Sequence, residues 1–153
     1  VMGADPHELA RLLDRVRPLT AKPLIVKLTP NATDVGAVAR ASRDSGADAV
    51  SLINTLRGMA LDPLTGAPWL GAATGGVSGP AVRAIALAQV DTVRQAVELP
   101  IIGMGGIQSG RDALDLMRAG ATLVAVGTES FRDPAAGSRI AGELEQLRAS
   151  SVI

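Results

Sequence analysis

The residues with the clearest chemical potential are three glycine-bearing junctions: Gly75-Gly-Val-Ser-Gly79-Pro80, Gly103-Met-Gly105-Gly106 and Gly127-Thr128. Glycine lets a backbone approach an anion closely, and amides at a helix start offer it partial positive charge. Each junction alone reads equally as a tight strand-to-helix turn. The last two follow consecutive strands, which favours a phosphate grip. Lys27 lies in an apolar run whose two-residue period puts Leu24, Val26 and Leu28 on one face and Ile25, Lys27 and Thr29 on the other. An amine directed inward there needs an anionic partner, and the alternative is a strand-end lysine reaching solvent. Asn54 and Thr55 end another apolar run. An amide carries donors and an acceptor, so it can read a planar heterocycle with alternating C=O and N–H groups, or it can close an Asx turn. His7 falls on a helix away from these positions, and the scattered acids form no ligand-spaced cluster, so no metal is expected.

Alternating elements must position these groups. Asp5-Pro6 opens a helix carrying Leu9, Leu12, Leu13 and Val16, which stops before Pro18. Short apolar runs at 23–28, 49–54, 100–104 and 123–126 read as strands. Helical stretches at 33–45, 82–97, 109–119 and 133–148 follow them. Strands apolar on both faces and alternating with helices mean a parallel sheet covered by helices. Because each polar or glycine-rich cluster follows a strand directly, a (β/α)8 barrel is favoured over a doubly wound sheet. A whole barrel takes about 250 residues, so four β/α units with a leading helix are expected to be a C-terminal half. The chain, residues 1–153, is read as one partial domain. Residues 55–79 form a long insertion with turn chemistry at Asp62-Pro63 and Thr65-Gly66, expected to be a hairpin acting as a lid or interface.

With 153 residues, no net charge and 47% hydrophobic content, the composition suits a soluble α/β protein. The 15 basic and 15 acidic residues are spread without blocks, which leaves no footprint for nucleic acid or an anionic membrane. No apolar run is long enough to span a bilayer, and the cytoplasm is the expected compartment. The absence of cysteine excludes disulfides, thiolate metal sites and a thiol nucleophile within these residues. A small-molecule ligand is the expectation.

Five ordered motifs, Val26-Lys-Leu-Thr-Pro-Asn31, Ile53-Asn-Thr55, Thr74-Gly-Gly-Val-Ser-Gly-Pro80, Pro100-Ile-Ile-Gly-Met-Gly-Gly106 and Val126-Gly-Thr128, resemble class 1 dihydroorotate dehydrogenases. The resemblance covers essentially the whole chain and is greatest to the class 1B catalytic subunit. It implies FMN as cofactor and oxidation of dihydroorotate to orotate in pyrimidine biosynthesis. It also implies a homodimer, and a partner subunit carrying FAD and an iron–sulfur cluster. Lys27 would sit beside the flavin pyrimidine edge and Ile53 against the flavin. Asn54 and Thr55 would bond the dihydroorotate ring, and Gly79, Gly105, Gly106, Gly127 and Thr128 would bind FMN, chiefly its phosphate. The family's base is a cysteine on a loop preceding the region matched here, so the chain is expected to be a fragment without that base. Two other readings stand beside this one: the pyrimidine-reducing domain of dihydropyrimidine dehydrogenases, and a non-catalytic phosphate-binding half-barrel paired through its strand edges.

Overall fold

The computed structural model describes residues 3–150. Helix α1 (Pro6–Val16) begins where Asp5 Oδ1 accepts the amides of His7 and Glu8, at 2.8 and 3.1 Å, with proline at the first helical position. Its Leu9 and Leu13 turn into the core while Leu12 stays partly exposed. A 3-10 turn at Arg17–Leu19 leads to strand β1 (Ile25–Lys27). Asp34 then caps α2 (Val35–Asp44). Strand β2 (Ala49–Leu52) is followed by an antiparallel hairpin, β3 (Leu56–Gly58) with β4 (Gly75–Val77). A 3-10 turn at Pro80–Val82 feeds α3 (Arg83–Ala96), which is followed by β5 (Ile101–Met104) and α4 (Gly110–Arg118). Strand β6 (Leu123–Ala125), a short α5 (Glu129–Arg132) and α6 (Ala136–Ser150) complete the order.

Strands β1, β2, β5 and β6 form one parallel sheet in that order, and β3 and β4 form a separate two-stranded unit. The register puts Val26 beside Val50 and Val50 beside Ile101, and on the next row Lys27 beside Ser51 and Ser51 beside Ile102. The first row is buried beneath the helices. These pack as a series, α1 on α2, α2 on α3, α3 on α4 and α4 on α6, following the strand order. The second row faces away: Lys27 is exposed, and Ile25 and Leu123 on the same face are 49% and 61% exposed. A parallel sheet with crossover helices along one face is the arrangement of part of a (β/α)8 barrel. Among the described residues no helix is long and apolar enough to cross a membrane.

The strands are shorter than the apolar runs suggest, ending at Lys27, Leu52, Met104 and Ala125, although the Ile53 amide still donates to the Met104 carbonyl and the Asn54 amide to the Leu28 carbonyl, at 2.9 and 3.1 Å. The last helix starts at Ala136 and not at Asp133-Pro134. Asp133 instead closes a turn, its carboxylate accepting the Ala135 amide at 3.0 Å and its carbonyl the Ala136 amide at 2.9 Å. Helix α5 has no counterpart in the sequence reading.

Candidate functional site

The loops that leave the C-terminal ends of the four parallel strands enclose a cavity of about 250 Å³. All nine residues singled out from the sequence line it: Lys27, Ile53, Asn54, Thr55, Gly79, Gly105, Gly106, Gly127 and Thr128. Lys27 enters from the end of β1, and among the described residues no carboxylate pairs with it. A free ammonium beside glycine-rich loops makes this cavity a place for an anionic or electron-rich ligand.

The glycines have different reasons to be glycine. Gly105 and Gly106 adopt φ of +125° and +74°, and a Cβ at Gly106 would stand 2.7 Å from Arg83 Cβ. The backbone itself demands glycine at both. Gly79, at φ +84°, likewise turns the chain into the Pro80 segment. Gly127 differs: it is not among the positive-φ residues, and a Cβ built there would meet nothing within 4 Å. Neither left-handed conformation nor packing requires glycine at 127, and the residue lines the cavity with open space beside it. Thr128 beside it makes no side-chain cap to α5, which leaves its hydroxyl for the cavity.

On the β1 and β2 side, Asn54 Oδ1 accepts the Thr55 amide at 2.9 Å. This bond is to the adjacent residue and not to the amide two residues on that an Asx turn requires, and the Asn54 Nδ2 retains two donors. Asn31 braces the pair: its Nδ2 donates to Thr29 Oγ1 at 3.0 Å and to the Thr55 carbonyl at 3.2 Å, and its Oδ1 accepts the Arg57 amide at 2.9 Å. A second cavity of about 270 Å³, lined by Thr29, Asn31, Arg57 and Thr74 among others, shares Asn54 and Thr55 with the first. Asn31 belongs to a motif visible in the sequence, but its bracing contacts lie 24 and 26 residues away and no local pattern reveals them.

On the β5 and β6 side, Gln108 and Glu129 join across the wall, Gln108 Nε2 donating to Glu129 Oε2 at 2.9 Å. Glu129 is 5% exposed. The Gln108 amide and the Arg132 guanidinium hold its carboxyl below its ordinary pKa. Ser109 and Asp112 form a reciprocal capping box at the start of α4. Asp112 also pairs with Arg83 at the start of α3, so the loop carrying Gly105 and Gly106 is anchored at both sides. Behind it, Glu143 accepts the Gly110 amide at 2.7 Å and pairs with Arg139, and these two contacts lower its pKa. Among the described residues no group of three or more His, Asp or Glu is placed to hold a metal ion.

The family model described as dihydroorotate dehydrogenase matches residues 2–147. The chain belongs to the dihydroorotate dehydrogenase family. It is 55% identical over 149 residues to the dihydroorotate dehydrogenase B (NAD(+)) catalytic subunit of Geobacter sp. (strain M21), covering 97% of this chain and 49% of that protein. For the subunit of the same name from Citrifermentans bemidjiense the identity is 56% over 146 residues, covering 95% and 48%. For that from Geobacter sulfurreducens it is 52% over 153 residues, covering 100% and 50%. The chain thus spans about half the length of the curated relatives it matches. Dihydroorotate dehydrogenases of this kind are FMN-dependent flavoenzymes. The residues present fit that cofactor, because the open space at Gly127 and the unpaired Lys27 line the same cavity.

Proposed function

We propose that this chain supplies the FMN-phosphate grip and one side of the pyrimidine site of a dihydroorotate dehydrogenase, the whole protein oxidising dihydroorotate to orotate in pyrimidine biosynthesis. The observation that carries the reading is the convergence of Lys27, Asn54, Thr55 and the three glycine junctions on one cavity. The amides of Gly79, Gly105, Gly106 and Gly127, with the Thr128 hydroxyl, hold the phosphate and ribityl end. Ile53 gives the flavin an apolar contact, and Lys27 places positive charge beside its pyrimidine edge. Bound FMN supplies the two-electron acceptor for the hydride that leaves dihydroorotate.

Asn54 and Thr55 orient the substrate ring by hydrogen bonding, braced by Asn31, so that the reacting carbon is presented in one pose. Loss of hydride from C6 is accompanied by loss of the C5 proton to a base. With no cysteine among its residues, this chain supplies no thiol for that step. Its contribution is binding, orientation and charge. The hairpin of residues 55–79 stands at the barrel mouth as a lid or an interface element, its base lining both cavities. A homodimer, a separate FAD and iron–sulfur electron-transfer subunit and a cytoplasmic setting complete the proposal, in keeping with relatives named as the catalytic subunit of an NAD(+) enzyme.

The test is reconstitution. The purified chain incubated with FMN and desalted retains visible flavin absorbance, and orotate shifts that band in the parent but not in Asn54→Ala. A folded chain that elutes colourless overturns the reading.

A further inference from the structure

Arg139 stands behind the cavity wall and not in it, yet its guanidinium reaches the first loop of the proposed phosphate grip and the short helix α5 that follows the second. Pairing between β5 and β6 ends with Met104 beside Ala125. Beyond that point the two backbones separate, one through Gly105 and Gly106 and the other through Gly127 and Thr128. Arg139 Nη1 donates to the Gln108 carbonyl at 3.2 Å on the first loop. Its Nε donates to Asp133 at 2.9 Å, just past α5, and its Nη2 lies 3.6 Å from Glu129, the first residue of α5 and the one that follows the second loop. Nη1 also bonds Glu143 at 2.8 Å, whose other oxygen accepts the Gly110 amide at the end of the first loop. Gln108 and Glu129 themselves line the cavity.

We propose that Arg139 is a positioning residue that sets the spacing of the two glycine loops, and that the cavity's preference for a phosphorylated over an unphosphorylated flavin depends on it. The inference rests on the FMN reading above. A planar, always-charged fork is the group that can address four acceptors in fixed directions, which a lysine cannot do. Its charge matters as much as its shape. Glu129 lies in the wall that must face a dianion, with Asp133 and Glu143 outside the lining, and Arg139 contacts all three. Removing the guanidinium both loosens the loops and leaves carboxylates facing the phosphate through the wall. Both effects penalise the phosphate group and spare the ring system.

The readout is therefore a ratio. The 153-residue chain is titrated with FMN and with riboflavin, following quenching of flavin fluorescence. The parent binds FMN more tightly than riboflavin. Arg139→Gln loses about tenfold or more of that preference, the range set by charged hydrogen bonds, while riboflavin affinity stays at the parent value. Arg139→Lys, which keeps the charge and loses the fork, also loses preference and carries the test if the glutamine variant does not give a folded circular dichroism spectrum. A folded variant with the parent's FMN-to-riboflavin ratio overturns the role of Arg139 alone. A parent that does not discriminate the two flavins overturns the phosphate-grip reading itself, and the inference with it.

Discussion

Replacing Gly127 and Gly106 one at a time by alanine separates glycine kept for a ligand from glycine kept for the fold. At Gly106 the new methyl group meets Arg83 Cβ at 2.7 Å and the Arg83 backbone at 3.0 Å, in a residue whose φ is +74°. The left-handed conformation costs an L-residue about 1–2 kcal/mol and overpacking about 1–3 more. At roughly 3 °C per kcal/mol for a chain of this size, the melting temperature falls by about 10 °C. At Gly127 the methyl group meets nothing and φ lies outside the left-handed region. Alanine there restricts the unfolded chain and adds about 0.4–1 kcal/mol of stability. The same methyl group occupies the space into which a phosphate must come to reach the 127 amide, so FMN affinity falls about tenfold, or about 1.4 kcal/mol. Thermal unfolding followed by far-ultraviolet circular dichroism, without and with FMN, reads both quantities. Gly127→Ala is then at least as stable as the parent without ligand and gains less from FMN. A Gly127→Ala protein that melts as early as Gly106→Ala, or that keeps the parent's stabilisation by FMN, refutes the argument.

Two further outcomes follow from contacts around the cavity. Asn31→Ala removes all three braces on the Thr29 and Thr55–Arg57 segments. Orotate affinity, read from the shift of the bound flavin spectrum, falls about tenfold while FMN affinity is unchanged, and an equal loss of both contradicts the bracing role. Glu129, Asp133 and Glu143 all have carboxyl pKa values lowered by hydrogen bonds and by arginines. A depressed folded-state pKa contributes stability that is fully present above the unfolded value, about pH 4, and is lost as pH falls through the folded value. Stability is therefore flat through neutral pH and declines only below about pH 4. The acid midpoint of Arg139→Gln lies higher than the parent's, and an unchanged midpoint argues against coupling of the three carboxylates to that arginine.

The alternation of strands and helices was legible because each element carries a local signal: Asp5-Pro6 for α1, the two-residue period around Lys27 for β1, and the Ser109 start for α4. Helix α5 was not, since four residues are too few to display a helical period. The cavity could be anticipated from glycines and polar residues that follow strands, because barrel topology brings such positions together whatever lies between them. Sequence could not say which of those glycines the fold itself requires. That depends on Arg83 standing against Gly106 and on nothing standing against Gly127. The bracing role of Asn31 and the parts of Gln108, Glu129 and Arg139 have no local signal, because these types are common on surfaces and their meaning lies in contacts 21 to 31 residues away.

The hairpin formed by β3 and β4 pairs only with itself and hangs from the end of β2 without joining the main sheet. Its tip carries a turn closed by Asp62 and leaves Leu64 and Trp69 93% and 67% exposed. Doubling the length of such an excursion costs only about 0.6 kcal/mol in loop-closure entropy. Descendants of this sequence can therefore lengthen, trim or rewrite the tip while inheriting the strand ends intact. Here the part of the molecule free to diversify is physically set apart from the part that must stay the same.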